Sequence, residues 1–416
     1  MRQVIIGGSI AAVGAISGIR SVTPDDEIIV INGEAGELYS RPLISYYLAG
    51  NRQQNSSYPY PNFLENNQVT LLNDWVLGID RENRQIKLKN GQLVAYDRLL
   101  LATGSLPVNL NLPGNDTTPV YNFYTQDDAD KLRELAPGIQ NAVVIGSGLI
   151  GIKAAEALHS MGIKVTVLER EAALMPRMLS PLVAARVAAE LEQVGISCHP
   201  SQQVVSLAEG QVQLKDGTSL ATELVIMATG VKPRTELAAD CGLVIEQGIV
   251  VNEWLQTSDS VIYAAGDVAQ VTNLVSSQTE VMALLPLARE QGWAAGVNMA
   301  GGKQIYPGGV PLNAVRVGSL AVTSGGLSNN PDLSWGKWQQ GDRYLELFAR
   351  DDRLVGFIAL NMPEVGGPIY NSLIRPLNLR IGEWQHFIAS PSLSTIPSTY
   401  WAQLRRCTGS DTFECC

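Results

Sequence analysis

The residues best placed to do chemistry lie in two short glycine-rich runs. Val4-Ile5-Ile6 leads into Gly7-Gly8-Ser9-Ile10-Ala11-Ala12, and Ala142-Val143-Val144-Ile145 leads into Gly146-Ser147-Gly148-Leu149-Ile150-Gly151. A G-x-G-x-x-G fingerprint needs small residues for a tight strand-to-helix turn, for close approach of backbone to a pyrophosphate, and for close packing of helix on strand. The second run meets the pattern in full. In the first, the three positions are Gly7, Ser9 and Ala12. The turn glycine is kept, and Ser9 adds a Cβ where backbone ordinarily meets phosphate. An acid at the end of the next strand reads ribose hydroxyls. After the second run that acid is Glu169, 18 residues beyond Gly151. A carboxylate there accepts from a 2′-hydroxyl and repels a 2′-phosphate, which favours NAD over NADP; the neighbouring Arg170 softens that preference. After the first run the strand ends at Asn32, with Glu34 as the substitute acid.

Each loop requires a strand before it, a helix after it and a second strand beyond. Glu27 to Ile31 supplies the second strand of the first unit, and Lys164 to Leu168 that of the second, after a helix that Gly162 ends. A further duplication follows. Leu99-Leu100-Leu101-Ala102-Thr103-Gly104 and Val225-Ile226-Met227-Ala228-Thr229-Gly230 are both apolar strands closing on Ala-Thr-Gly, each followed by a proline, Pro107 or Pro233. Self-similarity at matched offsets predicts two related nucleotide-binding units. A third element, Val261-Ile262-Tyr263-Ala264-Ala265-Gly266-Asp267, delivers a carboxylate at a strand end. It suits hydrogen bonding to a sugar-like chain; an ordinary Gly-Asp turn is the alternative.

The chain has 416 residues, enough for about three domains or two large ones. Hydrophobic residues make up 45% and charged residues 17%, which excludes global disorder. A net charge of −10 disfavours sequence-wide affinity for nucleic acid or anionic lipid. The 3 histidines, His159, His199 and His386, show no metal-ligand spacing, so no metal site is expected. The 5 cysteines are odd in number and contain no C-x-x-C, which predicts a reducing compartment; Cys415-Cys416 is either a reactive pair or a frayed tail. The apolar run from Val4 to Ile19 superficially suggests a leader or anchor, but a second strand follows it. A cytoplasmic protein without a membrane span is expected.

Taken together, the paired fingerprints, the paired Ala-Thr-Gly strands and Tyr263-Ala-Ala-Gly-Asp267 resemble the pyridine-nucleotide–disulfide-oxidoreductase-like flavoproteins. Within them the chain resembles the rubredoxin and ferredoxin reductase branch, including the flavin portion of NADH-dependent nitrite reductases. Tyr39-Ser40-Arg41-Pro42 and the segment from Leu285-Pro286 to Gly301 carry that likeness. The resemblance covers about residues 1–302. It implies an α/β fold with two Rossmann-like, glutathione-reductase-like dinucleotide-binding domains and an α+β C-terminal domain. FAD would bind a discontinuous domain of 1–113 and 234–303, and NAD(H) a domain of 114–233; residues 304–416 would form an interface or dimerisation domain. The implied FAD residues are Gly7, Gly8, Ser9, Ile10 and Ala11 at the pyrophosphate, Arg41 and Pro42 near the flavin, and Val76 at adenine. Ala102, Thr103 and Gly104 would close the site, Gly266 and Asp267 would hold the ribityl chain, and Leu285 and Pro286 would face the flavin.

The chain departs from that pattern in two ways. It has no cysteine before Cys198, and Pro42 stands nearest the position of the single redox cysteine. Electrons would then leave the flavin without a sulfur relay, unless the Cys415-Cys416 pair of a partner subunit reaches in. The carboxylate that usually pairs with a lysine under flavin N5 is replaced by Lys153, and Tyr46 occupies the usual lysine site. Lys153 either presents a lone ammonium that stabilises negative charge on reduced flavin, or turns to solvent or to Glu156. The expected reaction is hydride transfer from NADH to FAD, then reduction of a protein or small acceptor, of iron–sulfur or rubredoxin type. A flavoprotein subunit of a larger redox complex and an NADH oxidase using O₂ are the alternatives. Trp335, Trp338, Trp384 and Trp401 could anchor an interface or fill a core. Arg375, Arg380, Arg405 and Arg406 could form a basic face for an acidic partner, or simply be solvated surface charge.

Overall fold

The computed structural model describes residues 1–50, 62–114, 118–208, 210–375, 377 and 379–408, with 405–408 described by backbone alone. Two parallel sheets repeat one topology. In the first, the order is Ile262–Ala264, Arg98–Leu101, Arg2–Ile6, Glu27–Asn32 and Val69–Asn73. In the second it is Val120–Tyr121, Leu224–Met227, Asn141–Ile145, Lys164–Leu168 and Ser197–His199. In both, the strand before the glycine loop is central, flanked by the Ala-Thr-Gly strand and by the strand that ends at the ribose-reading position. These strands are unbroken apolar runs because both of their faces are covered, as parallel sheets require. Val4, Ile5, Leu99, Leu100, Val144 and Val167 are fully buried. The outer strand of the first sheet comes from late in the chain, whereas that of the second precedes its loop.

The helix that follows the first loop, Ile10–Val22, packs along Leu285–Met299 with the two backbones in contact. A Cβ at Gly14 would lie 2.3 Å from the Arg289 carbonyl oxygen, and at Gly18 2.3 Å from that of Trp293. From the other helix, a Cβ at Gly292 would lie 2.0 Å from the Ala11 oxygen and at Gly296 2.2 Å from the Ala15 oxygen. Each helix therefore carries glycines four residues apart on the face that meets its partner, which brings the Leu285-Pro286 end close to the first loop.

Beyond each Ala-Thr-Gly run the chain crosses between the two sheets. Ser105–Pro107 and Val231–Pro233 pair antiparallel there, with Ser105 opposite Pro233. The C-terminal region forms an antiparallel sheet ordered Leu312–Val317, Leu320–Gly326, Arg353–Leu360, Arg343–Arg350 and Ser334–Gln340. Its expected hairpin turns at Asp351 and Asp352, with φ of 52° and 61°. One face shares a core with the second unit, through Val322, Tyr344, Phe348 and Ile358 against Ile152, Val183 and Val187. The other is covered by the helix Pro363–Ile374 and by Trp384 and Phe387. Trp384 is core and Trp338 packs against it; Trp335 and Trp401 stay partly exposed.

The run from Val4 to Ile19 divides into a strand and a helix. Among the described residues no helix is long and apolar enough to cross a membrane. Arg380 is exposed, 3.8 Å from Asp352. The Arg405 and Arg406 side chains, and Cys415 and Cys416, lie outside the described residues.

Candidate dinucleotide site

Both glycine loops adopt a backbone that only glycine reaches comfortably. Gly7 has φ 114° and Gly146 φ 105°. A Cβ would lie 2.0 Å from the Ala102 oxygen at Gly7 and 2.3 Å from the Ala228 oxygen at Gly146. Each turn glycine is thus pressed against the alanine of its own Ala-Thr-Gly run, which explains why the two motifs are duplicated together. The Gly7 and Gly146 amides donate to the Ile31 and Leu168 carbonyls, each at 2.8 Å. The third fingerprint position is strict in the second loop, where a Cβ at Gly151 would meet the Gly146 oxygen at 2.0 Å. In the first loop the fully buried Ala12 fills that position.

The threonines act at the crossing. Thr103 Oγ1 donates to the Arg234 carbonyl at 2.8 Å, and Thr229 Oγ1 donates to that of Val108. Gly104 and Gly230, with φ of 70° and 112°, turn the chain into the crossing ribbon.

A cavity of about 580 Å³ lies between the units. The first loop, Gly7 to Ala11, forms one wall. Leu149, Ile150 and Lys153, from the opening turns of the second-loop helix Leu149–Ser160, form another. Asn32, Glu34, Arg41, Pro42, Tyr46, Val76, Ala102, Thr103, Gly104, Gly266, Asp267, Leu285 and Pro286 all line it, as do Leu312 to Arg316 from the C-terminal sheet. Gly146, Gly148, Gly151, Glu169, Arg170, Ala228, Thr229 and Gly230 are not in this lining; they gather around the second loop. The first wall fits a dinucleotide pyrophosphate. Gly8 has no room for a side chain, since a Cβ would lie 2.6 Å from Asn32 Cγ. The 13-residue helix Ile10–Val22 opens there without a side-chain cap from Ser9, which leaves its first amides and its dipole to an anion.

Around the second loop, Glu169 is buried and held by three hydrogen bonds, which leaves one lone-pair position on Oε1. One carboxylate oxygen accepts from the Ser147 amide at 3.0 Å and the Ser147 hydroxyl at 2.6 Å; the other accepts from the Glu171 amide at 2.9 Å. Ser147 Oγ accepts in turn from the Met175 amide at 3.1 Å. Ser147 was missed in the sequence because it occupies a spacer position of the fingerprint. Arg170 is 75% exposed and pairs with Glu171, so it points away from the loop.

One expectation needs correction, and one alternative left open by the sequence is decided. Glu34 lines the cavity, but its carboxylate is taken by the Arg41 guanidinium and the Tyr39 hydroxyl, and the Asn32 amide closes onto the Glu34 carbonyl at 2.9 Å. Neither matches a free carboxylate waiting for ribose. Lys153 does face the cavity, but not as a lone ammonium: Nζ pairs with Glu156 at 2.7 Å and donates to the Arg316 carbonyl. Tyr46 also faces the cavity and is 47% exposed.

Asp267 lies beside Ser105, whose hydroxyl donates to it at 3.2 Å, and Ser105 also meets the Tyr124 hydroxyl at 2.7 Å. Burial pushes the Asp267 carboxyl above the usual carboxylate range, against the opposing pull of Ser105 and Arg41. Tyr124, a second missed residue, receives the Arg41 guanidinium over its ring at 4.6 Å. Among the described residues, no cysteine lines the cavity. Burial pushes the Cys198 thiol up to about 12 and raises that of Cys241, so neither is a ready thiolate.

Residues 1–292 match the pyridine nucleotide-disulphide oxidoreductase family. The assimilatory nitrate reductase electron transfer subunit of Bacillus subtilis is 29% identical over 412 residues, 96% of this chain and 53% of that one; the chain thus spans about half the length of that relative. The epsilon subunit of an NADH-dependent phenylglyoxylate dehydrogenase from Aromatoleum evansii is 32% identical, with 94% of this chain and 95% of that one covered. Among solved structures, a putidaredoxin reductase covalently joined to putidaredoxin superimposes with a TM-score of 0.81 at 26% identity, covering 89% of this chain and 93% of that one. The duplicated loop-and-strand architecture, the cavity lined by the first loop and the start of the second-loop helix, and the match over residues 1–292 lead to one conclusion: the chain belongs to the pyridine nucleotide-disulphide oxidoreductase family.

Proposed function

We propose that the chain passes electrons from NADH through FAD to a protein acceptor without a cysteine relay. The observation that carries this reading is a cavity lined both by the first loop and by the start of the second-loop helix, with Pro42 and, among the described residues, no cysteine in its lining. When bound, FAD accepts a hydride from NADH and releases electrons singly or in pairs.

The protein's own work is positioning. The domain carrying FAD comprises 1–113 and 234–303, that carrying NAD(H) 114–233, and 304–416 forms the interface domain. Gly7, Gly8 and Ser9, with the helix they open, hold the pyrophosphate. Asp267, steadied by Ser105, binds the ribityl hydroxyls, and Arg41 is fixed by Glu34 beside the flavin. Gly146 to Gly151 hold the NADH pyrophosphate, and Glu169 reads its ribose. Lys153 shares its charge with Glu156, so the positive field it sends into the cavity is partly cancelled. No general acid or base is required of the protein.

Two similarities favour a macromolecular acceptor. One relative is named as a subunit of a dehydrogenase, and one structural neighbour is a reductase joined to putidaredoxin. Iron–sulfur or rubredoxin-type proteins are the acceptor class, and a subunit role in a larger complex is the second reading. The odd cysteine count without C-x-x-C favours a cytoplasmic setting. The test is rapid mixing of NADH-reduced protein with rubredoxin, with a [2Fe–2S] ferredoxin and with air-saturated buffer. Reoxidation much faster by an iron protein than by air is expected. Equally fast reoxidation by air contradicts the reading and makes the chain an oxidase.

A further inference from the structure

The charged side chains that line the cavity are almost all satisfied from within the protein. Arg41 is paired with Glu34, and Lys153 with Glu156. Arg316 donates to the Ser319 carbonyl at 3.1 Å, and Asp74 accepts from the Trp75 and Asn90 amides at 2.7 and 3.0 Å. Arg234 is the exception. Among the described residues its guanidinium has no ion pair and no hydrogen bond; it lies over the Trp75 ring, 5.4 Å from the centroid. It is partly buried. Burial lowers its pKa, and the charge of Arg41 pushes in the same direction, against the opposing pull of Tyr124, Glu34 and Glu236. A guanidinium stays protonated under such pressure, so the arrangement is relieved by an anion rather than by loss of a proton.

The backbone shows which part of the cavity Arg234 serves. Its amide donates to the Gly104 carbonyl at 2.9 Å, and its carbonyl accepts from Thr103. These residues follow Ala102, against which Gly7 is pressed. The Trp75 ring, under Arg234, packs on Gly33 at the end of the second strand, where a Cβ would lie 2.9 Å from the ring. Arg234 therefore spans from the base of the first loop to the strand end where the adenosine half of a dinucleotide binds.

Resting on the flavin reading above, we propose that Arg234 is a positioning residue for FAD whose guanidinium engages the pyrophosphate, supplying charge contact where Ser9 replaces glycine and Asn32 replaces an acid. Trp75 holds the guanidinium in place while leaving its donors for the phosphate oxygens.

The test measures FAD retention in the full-length holoprotein, by the fluorescence of released flavin on dilution at low and at high salt. Wild type should lose affinity as salt rises. Arg234→Met should weaken FAD binding at least tenfold at low salt and flatten the salt dependence. Arg234→Lys should recover part of both, and Trp75→Phe should keep the salt dependence. Should Arg234→Met not fold, Arg234→Gln serves with Arg234→Lys. Retention of FAD by the neutral variants at wild-type affinity overturns the proposal. So does a loss of affinity with the salt dependence intact, which would mark a packing role against Trp75. Wild-type protein that never holds flavin overturns instead the reading on which this one rests.

Discussion

Glu169 accepts three hydrogen bonds from its own chain, two of them from Ser147. A buried carboxylate held this way has one orientation, and orientation decides whether it meets a ribose hydroxyl squarely. A hydrogen bond to a charged group contributes about 1.5–3 kcal/mol. Ser147→Ala is therefore expected to raise the KM for NADH about tenfold with little change in kcat, and to narrow the preference over NADPH; Ser147→Thr should restore much of both. Steady-state kinetics with each nucleotide checks this, and an unchanged NADH/NADPH ratio contradicts it. The glycines and Glu169 were legible in the sequence because a positive φ and a carboxylate at a strand end are local requirements. Ser147, Tyr124 and Arg234 were not, because each acts through a partner that only tertiary folding supplies: Glu169, Arg41 and Trp75. The same cause misread Glu34, whose carboxylate is claimed by Arg41 seven residues away, and left the partner of Lys153 open.

Among the elements, the strand–loop–helix–strand units were readable from continuous apolar runs and glycine punctuation. The closeness of Ile10–Val22 to Leu285–Met299 was written in the same chain and went unread, because Gly14 and Gly18 have meaning only opposite Gly292 and Gly296. Helices in such contact leave no space for a methyl group. Gly292→Ala places its Cβ against the Ala11 carbonyl, where the clearance is 2.0 Å. Forcing atoms into a packed interface costs roughly 1–3 kcal/mol. Thermal unfolding should therefore show a melting temperature lower by several degrees, with weaker flavin retention, since Ala11 lies on the cavity wall. Gly301→Ala is the control, since a Cβ there meets no atom within 4 Å. Its φ of 88° carries strain of its own, so its loss should be the smaller of the two. Equal losses would contradict the packing account.

At the scale of the molecule, the C-terminal sheet completes the cavity as well as extending the chain. Leu312 to Arg316 line it, and the turn that follows is clasped by the second unit. The Gly318 amide donates to Glu156 at 2.8 Å, and the Ser319 amide donates to Glu190. From sequence this region was legible only as a strand pair with a turn at Asp351-Asp352. Its strand order is set by one non-local pairing, Leu320–Gly326 against Arg353–Leu360, that joins local hairpins, and its tryptophans divide between core and surface in a way composition does not reveal. The whole assembly has one purpose on this account: to bring a nicotinamide and a flavin to the two sides of one cavity with no sulfur between them.

The most direct measurement is an anaerobic titration of the purified protein with NADH, followed by its visible spectrum and repeated with NADPH. The account predicts stoichiometric bleaching of the flavin bands by NADH, a weaker response to NADPH, and no long-wavelength thiolate-to-flavin charge-transfer band. A flavin that NADH does not bleach, or a thiolate charge-transfer band on reduction, would contradict it.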